Sequence, residues 1–158
     1  MYRSPSPIKE DVRVRVARSL NERLSDGLDL WSQIKVAHWN VKGPHFAALH
    51  PLFETFATSL ANHNDAVAER AVTLGAQAYG TVRYVAKTSR LPEYDGEATA
   101  GMQHVKLLAD RIEAYLAGVR ETRDLGEDVD DQDTVDLLTG IVTEFEKHAW
   151  FLRASLEG

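Results

Sequence analysis

The chain contains no cysteine. That excludes a disulfide framework, a thiolate metal site and a cysteine nucleophile. Any metal must be held by histidine, aspartate and glutamate, a donor set that suits iron, manganese or zinc. No apolar run approaches the ~20 residues that span a bilayer, and no charged segment followed by an apolar one opens the N-terminus. A cytoplasmic location without a membrane partner is therefore expected. Basic residues are in deficit, 18 Lys and Arg against 24 Asp and Glu, for a net charge of -6. Non-specific nucleic-acid binding by the body of the protein is disfavoured, because neutralising phosphates needs clustered Lys or Arg. An acidic surface attracts cations instead. The sequence shows no internal repeat, and the only strand-like pattern is TVRYV at 81–85. Glu-x-x-His pairs, with which some proteins hold two metals inside one helical bundle, are also missing.

What is present is helical. The 158 residues, 44% hydrophobic and 27% charged, fit one domain with a substantial core. Residues 1–8 hold two prolines and no periodicity, and read as an extended, mobile tail ahead of a domain at 9–158. From Lys9 onward Val16, Leu20, Leu24, Leu28, Trp31 and Ile34 share a stripe that His38 continues, until Gly43-Pro44 breaks the helix. A second helix runs from the Phe46–Pro51 region to Leu74, with Pro51 tolerated in a first turn and Gly75 as its stop. Residues 76–96 are too long for a tight turn and read as a crossover between parallel helices, enclosing a short helix. A third long helix is expected over 97–123, an acidic loop at GEDVDDQ, and a fourth long helix over 133–156. The fold class is all-α, a four-helix bundle with one long crossover between the second and third long helices.

The chemistry concentrates between His38 and Glu69. At ~100° per residue, His50, Glu54, Asp65 and Glu69 fall on one stripe of the second helix, away from the apolar face of Leu49, Phe53, Phe56, Leu60, Val67 and Leu74. The stripe divides into two i, i+4 pairs, His50/Glu54 and Asp65/Glu69, each able to share one ion. The rise from His50 to Asp65 is roughly 22 Å, whereas ligand atoms lie ~2.0–2.6 Å from a metal. One straight helix cannot close such a site. A second copy lying antiparallel across a twofold axis can, and Ala57, Thr58 and Ala61 between the pairs are small enough for close approach. The metal reading is thus a C2 dimer with two shared sites, each completed by His38. The competing reading of the same spacing is a solvated helix face carrying common i, i+4 charge pairs.

The run K-x-x-H-W-N-V-x-G-P-x-F-x-x-L-H-x-x-F at Lys35–Phe53, with D-x-x-A-E-R-x-x-x-L-G at Asp65–Gly75, D-x-D-T-x-D-L-L-T at Asp131–Thr139 and W-F-L at Trp150–Leu152, resembles the signature of the Dps family, the ferritin-like miniferritins. The resemblance implies a dodecameric shell of C2 dimers with ferroxidase sites at the dimer interfaces. Its metal ligands would be His38, His50 and Glu54 from one subunit and Asp65 and Glu69 from its mate. It implies Fe(II) as substrate, hydrogen peroxide in preference to oxygen as oxidant, and an Fe(III) mineral inside the shell; zinc or manganese would fit the same ligands. Trp39 matches a family tryptophan beside the site, with core packing as its other reading. Arg70 is expected to orient a carboxylate or cross the interface. Asp136 matches an acidic pore position to which Asp131 and Asp133 would add, and Asp133 also suits a helix N-terminus. Of the remaining histidines, His45 and His63 are read as surface or interface residues, His104 as exposed and His148 as packed at a subunit contact.

DNA is the doubtful partner. Family members that bind it directly often use a lysine-rich terminus, where many copies on one shell give avidity. Here the tail offers Arg3, then Lys9 and Arg13, and the chain ends Leu-Glu-Gly. Ser155 stands where many relatives have histidine. Two functions remain open at this point: a ferroxidase and iron store that protects DNA and cell from oxidative damage, with or without nucleoid association, or a DNA-coating shell with little ferroxidase activity.

Overall fold

The computed structural model describes residues 1–157. It contains α1 (Glu10–Asn40), α2 (Phe46–Thr73), α3 (Val82–Thr88), α4 (Gly101–Asp128) and α5 (Gln132–Leu156). The short connections make two antiparallel hairpins, α1 with α2 and α4 with α5. Ser19 meets Thr122 and Arg23 meets Gly118, so α4 runs antiparallel to α1 and parallel to α2. The apolar stripes converge on one core in which Leu20, Leu30, Ile34, Phe53, Phe56, Leu60, Leu108, Ile112, Tyr115 and Phe145 are fully buried.

The crossover is carried by a stripe of polar residues on α1. Asn21 donates to the Gln77 carbonyl at 3.0 Å and accepts the Tyr79 amide at 2.8 Å. One turn on, Ser25 Oγ accepts from Thr88 Oγ1 at 2.9 Å, and Asp26 accepts the Arg90 amide at 2.8 Å while pairing with buried Arg23 at 3.2 Å. Asp29 accepts from Ser89 Oγ, and Gln33 donates to the Pro92 carbonyl at 3.0 Å. A long connection brings backbone groups that must find partners or water, and this stripe supplies several. Burial lowers the Arg23 pKa, opposed by Asp26.

Several local expectations change. The VRYV of TVRYV opens α3, a helix lying on α1, with Thr81 as its N-cap. α4 starts at Gly101 rather than 97, because Glu97 and Ala98 turn on Asp95, and the Lys42 amide donates to the Thr99 carbonyl in an isolated parallel bridge. The acidic stretch is mostly helical: only Val129–Asp131 connects α4 to α5, with Asp130 left-handed at φ 59°, a conformation aspartate tolerates. Pro51 lies in the second turn of α2, not the first. The carbonyl it deprives of a donor, that of Ala47, belongs to an exposed residue and is open to water.

The tail is extended but anchored rather than free. The Tyr2 amide donates to the Gly75 carbonyl at 2.6 Å and Ser4 Oγ to the Thr73 carbonyl at 3.2 Å, while Arg13 holds the Leu74 and Ile8 carbonyls. Gly75 closes α2 with a left-handed φ of 94°, its amide bonded to the Val72 carbonyl and that of Ala76 to the Ala71 carbonyl. A Cβ at Gly75 would lie 2.7 Å from the Tyr2 carbonyl oxygen.

His104, expected at the surface, is fully buried, its Nδ1 2.7 Å from the Tyr94 hydroxyl and its ring edge-on to Phe53. Desolvation lowers its pKa and raises that of Tyr94.

Gly75→Ala should destabilise the fold by about 1–2 kcal/mol, the cost of a left-handed non-glycine residue, and loosen the tail; thermal melting together with protease cleavage near Tyr2 reads both effects. His104 is held neutral, so its folded pKa lies below its unfolded one. Its contribution is complete above the unfolded value of about 6.5 and is lost as pH falls from there through the lower folded value. Melting temperature should therefore fall on acidification across that window, and less steeply in His104→Gln; an unchanged slope in the variant contradicts the assignment.

Candidate metal centre

The turn between α1 and α2 folds the end of one helix onto the start of the next, and two histidines meet there. His38 Nδ1 lies 2.8 Å from the His50 carbonyl, and His50 Nδ1 lies 2.9 Å from the His38 carbonyl. A carbonyl only accepts, so both rings carry their proton on Nδ1. The imidazoles stack at 3.8 Å between centroids, with Phe46 against His50 at 5.0 Å. Each Nε2 is left as a lone pair, the tautomer of a metal ligand whose other nitrogen is held by a backbone carbonyl.

Glu54 completes this end. Its Oε2 is 3.3 Å from His38 Nε2, and it accepts a hydrogen bond from Lys35. The Lys35 bond holds the Glu54 carboxyl below the usual range, opposed by desolvation and aided by the ammonium charge. A lone pair on His38 facing a carboxylate is an arrangement that a cation resolves, and the ammonium of Lys35 already supplies one beside it. Lys35 also stands 5.8 Å from the Trp39 ring centroid. Its place in the K-x-x-H run was visible in the sequence, but nothing there showed that its charge reaches Glu54.

Asp65 and Glu69 are exposed farther along α2. Their carboxylates make no hydrogen bond or salt bridge among the described residues, and nowhere there are three His, Asp or Glu side chains already arranged around a metal position. The two pairs thus sit apart on one unbroken helix. Of the small residues between them, Thr58 and Ala61 are exposed, but Ala57 is 1% exposed and belongs to the subunit's own core. Trp39 is 65% exposed, which overturns core packing within the subunit.

Arg70 does orient a carboxylate, that of Asp131, and donates to Thr134 Oγ1 at 2.9 Å. Asp131 is 1% exposed and accepts the Thr134 amide as the N-cap of α5. It cannot line a pore from that position, whereas Asp133 and Asp136 are exposed. His45 is exposed and His63 partly so; His148 is buried inside the subunit against Phe56 and Phe145 rather than at its surface.

Comparisons with known proteins identify the family. The ferritin family, described as a ferritin-like domain, matches residues 17–158. The chain is 33% identical to the DNA protection during starvation protein of Agrobacterium fabrum, over 99% of this chain and 96% of that one. It is 37% identical to DNA protection during starvation protein 2 of Bacillus anthracis, over 90% and 97%. Among solved structures, Dps of Mycobacterium smegmatis superposes with a TM-score of 0.94 at 30% identity, covering 99% of this chain and 95% of that chain. Dps of Vibrio cholerae, described as one of the ferritin-like diiron-carboxylate proteins, gives 0.93 at 25% identity, covering 99% and 98%. A bundle with one long crossover, a carbonyl-locked histidine pair and a matching ferritin-like domain lead to one conclusion: the chain belongs to the Dps family of ferritin-like proteins.

Proposed function

We propose that the protein oxidises Fe(II) at sites shared between two copies of the chain and stores the Fe(III) product as mineral inside a dodecameric shell. The observation that carries this reading is the tautomeric lock on His38 and His50. Both Nε2 lone pairs are prepared for a cation at one end of α2, while Asp65 and Glu69 wait unpaired at the other. Antiparallel pairing of two such helices brings the carboxylates of one to the imidazoles of the other, giving two equivalent sites per dimer.

Iron is the substrate. Imidazoles and carboxylates together accommodate Fe(II), and the hard carboxylate oxygens favour the Fe(III) product. Two ions held close together release one electron each, so that hydrogen peroxide with two protons becomes two waters and no hydroxyl radical is freed. Peroxide is therefore the oxidant of choice over oxygen. A second cation at Glu54 has to displace Lys35, whose ammonium keeps the carboxylate neutralised until then. Trp39, exposed on the subunit, borders the completed site. Asp136 and Asp133 concentrate cations at an acidic pore. With no helix long and apolar enough to cross a membrane among the described residues, this function fits the cytoplasm.

A second reading, a shell that coats DNA, draws on the names of the relatives. The anchored tail speaks against it, since its backbone is tied to the end of α2 and Arg3 is its only cationic side chain. Protection of DNA then comes from consuming iron and peroxide.

Fe(II) oxidation followed with peroxide and with oxygen should fall at least tenfold in His50→Ala and in Asp65→Ala. Mixing the two variants and reassembling them should restore about one quarter of wild-type activity, because half of randomly formed dimers are mixed and each mixed dimer has one intact site. No recovery despite mixed assembly would remove the shared site. In a gel-shift titration at moderate salt, DNA should stay unretarded at near-stoichiometric protein; a shifted band there would restore the coating role.

A further inference from the structure

A second group of metal-ligating side chains lies where α2 passes α5, outside the proposed dimer site. Glu144 on α5 accepts hydrogen bonds from Ser59 Oγ at 2.6 Å and from His63 Nε2 at 2.7 Å, both on α2. On its own helix, one turn away, His148 Nε2 is 3.5 Å from the other side of the same carboxylate. His148 is 4% exposed, ringed by Phe56 and Phe145, and neither of its nitrogens has a hydrogen-bond partner. A buried imidazole with both nitrogens unsatisfied is costly and needs an explanation that packing against two phenylalanines does not give.

We propose that His63, Glu144 and His148 form a separate binding site for a divalent transition-metal ion such as Fe(II) or Zn(II). Two imidazoles and one carboxylate with an open position are the donor set such ions take. Ligand atoms around a tetrahedral ion at ~2.0–2.2 Å lie roughly 3.4 Å from one another; the two histidine–carboxylate separations of 2.7 and 3.5 Å bracket that value, and side-chain rotation has to open the shorter one and turn both imidazoles toward the ion. In the structure these side chains contact one another instead of surrounding an ion. A metal replaces the His63 hydrogen bond and satisfies the orphaned Nε2 of His148, while Ser59 continues to orient the carboxylate. On the subunit, a single groove along α2 runs from His38, His50 and Glu54 past Thr58 and Ser59 to Glu144.

Co(II) is the probe, since tetrahedral coordination gives it a distinct visible spectrum and its binding is read without any oxidation. In a His50→Ala/Asp65→Ala background, which removes the dimer site, about one Co(II) per subunit should remain with a tetrahedral band. Adding Glu144→Gln should abolish it, and adding His63→Gln should do the same. Circular dichroism and light scattering confirm that each variant keeps its helices and assembly. Absence of retained Co(II) in the background protein overturns the proposal, as does retention that Glu144→Gln leaves intact. Wild-type protein carrying Glu144→Gln alone supplies the comparison should the background fail to assemble: it must bind one Co(II) per subunit fewer than wild type, and an equal count overturns the site. Failure of the dimer site would show separately, as Fe(II) oxidation unaffected by His50→Ala.

Discussion

The constraint on which this structure rests is that a long crossover must lie along the bundle without stranding its backbone. Asn21, Ser25, Asp26, Asp29 and Gln33 recur on one side of α1 at intervals of about a turn, and each bonds a point between Gln77 and Pro92. Pinning that segment fixes where α4 begins, and so how the α4/α5 hairpin docks on the α1/α2 hairpin. The buried charges are compensated locally, Asp26 lying between Arg23 and Arg90. A polar stripe directed inward is thus as necessary to the topology as the apolar one beside it.

The proposed chemistry depends on a different rigidity. α2 runs unbroken from Phe46 to Thr73, so the distance between its histidine end and its carboxylate end is set by helical rise and cannot be shortened by bending. Such a helix has no use for both ends within one subunit, and the subunit leaves Asp65 and Glu69 without partners. On the proposed reading function and assembly are one event, since a chain that fails to pair also fails to complete its site.

Much of this was legible in the sequence because helical period and glycine or proline punctuation are local signals. The stop at Gly75, the crossover, the direction of the His50, Glu54, Asp65 and Glu69 stripe, and the all-α class rest on them. What was not legible depends on which polar residues find partners across space. His104 looks like a surface residue until Tyr94 is seen beside it, and Asp131 looks like a pore carboxylate until Arg70 and Thr134 enclose it. The tail looks mobile because nothing local holds it; its anchors are carbonyls some 70 residues away. TVRYV has the composition of a strand but no strand to pair with among the described residues, and takes the helix that α1 supports. The Glu144 and His148 spacing on α5 was the one local hint of the second histidine group.

The reciprocal bonds between His38 and His50 bear on which substitutions this turn tolerates. Each imidazole is oriented by a main-chain carbonyl, and every residue type presents that carbonyl. No other side chain has to be preserved to keep the two rings aimed. Neighbouring side chains can change without releasing the two rings, so the proposed ligand pair is held by the backbone itself.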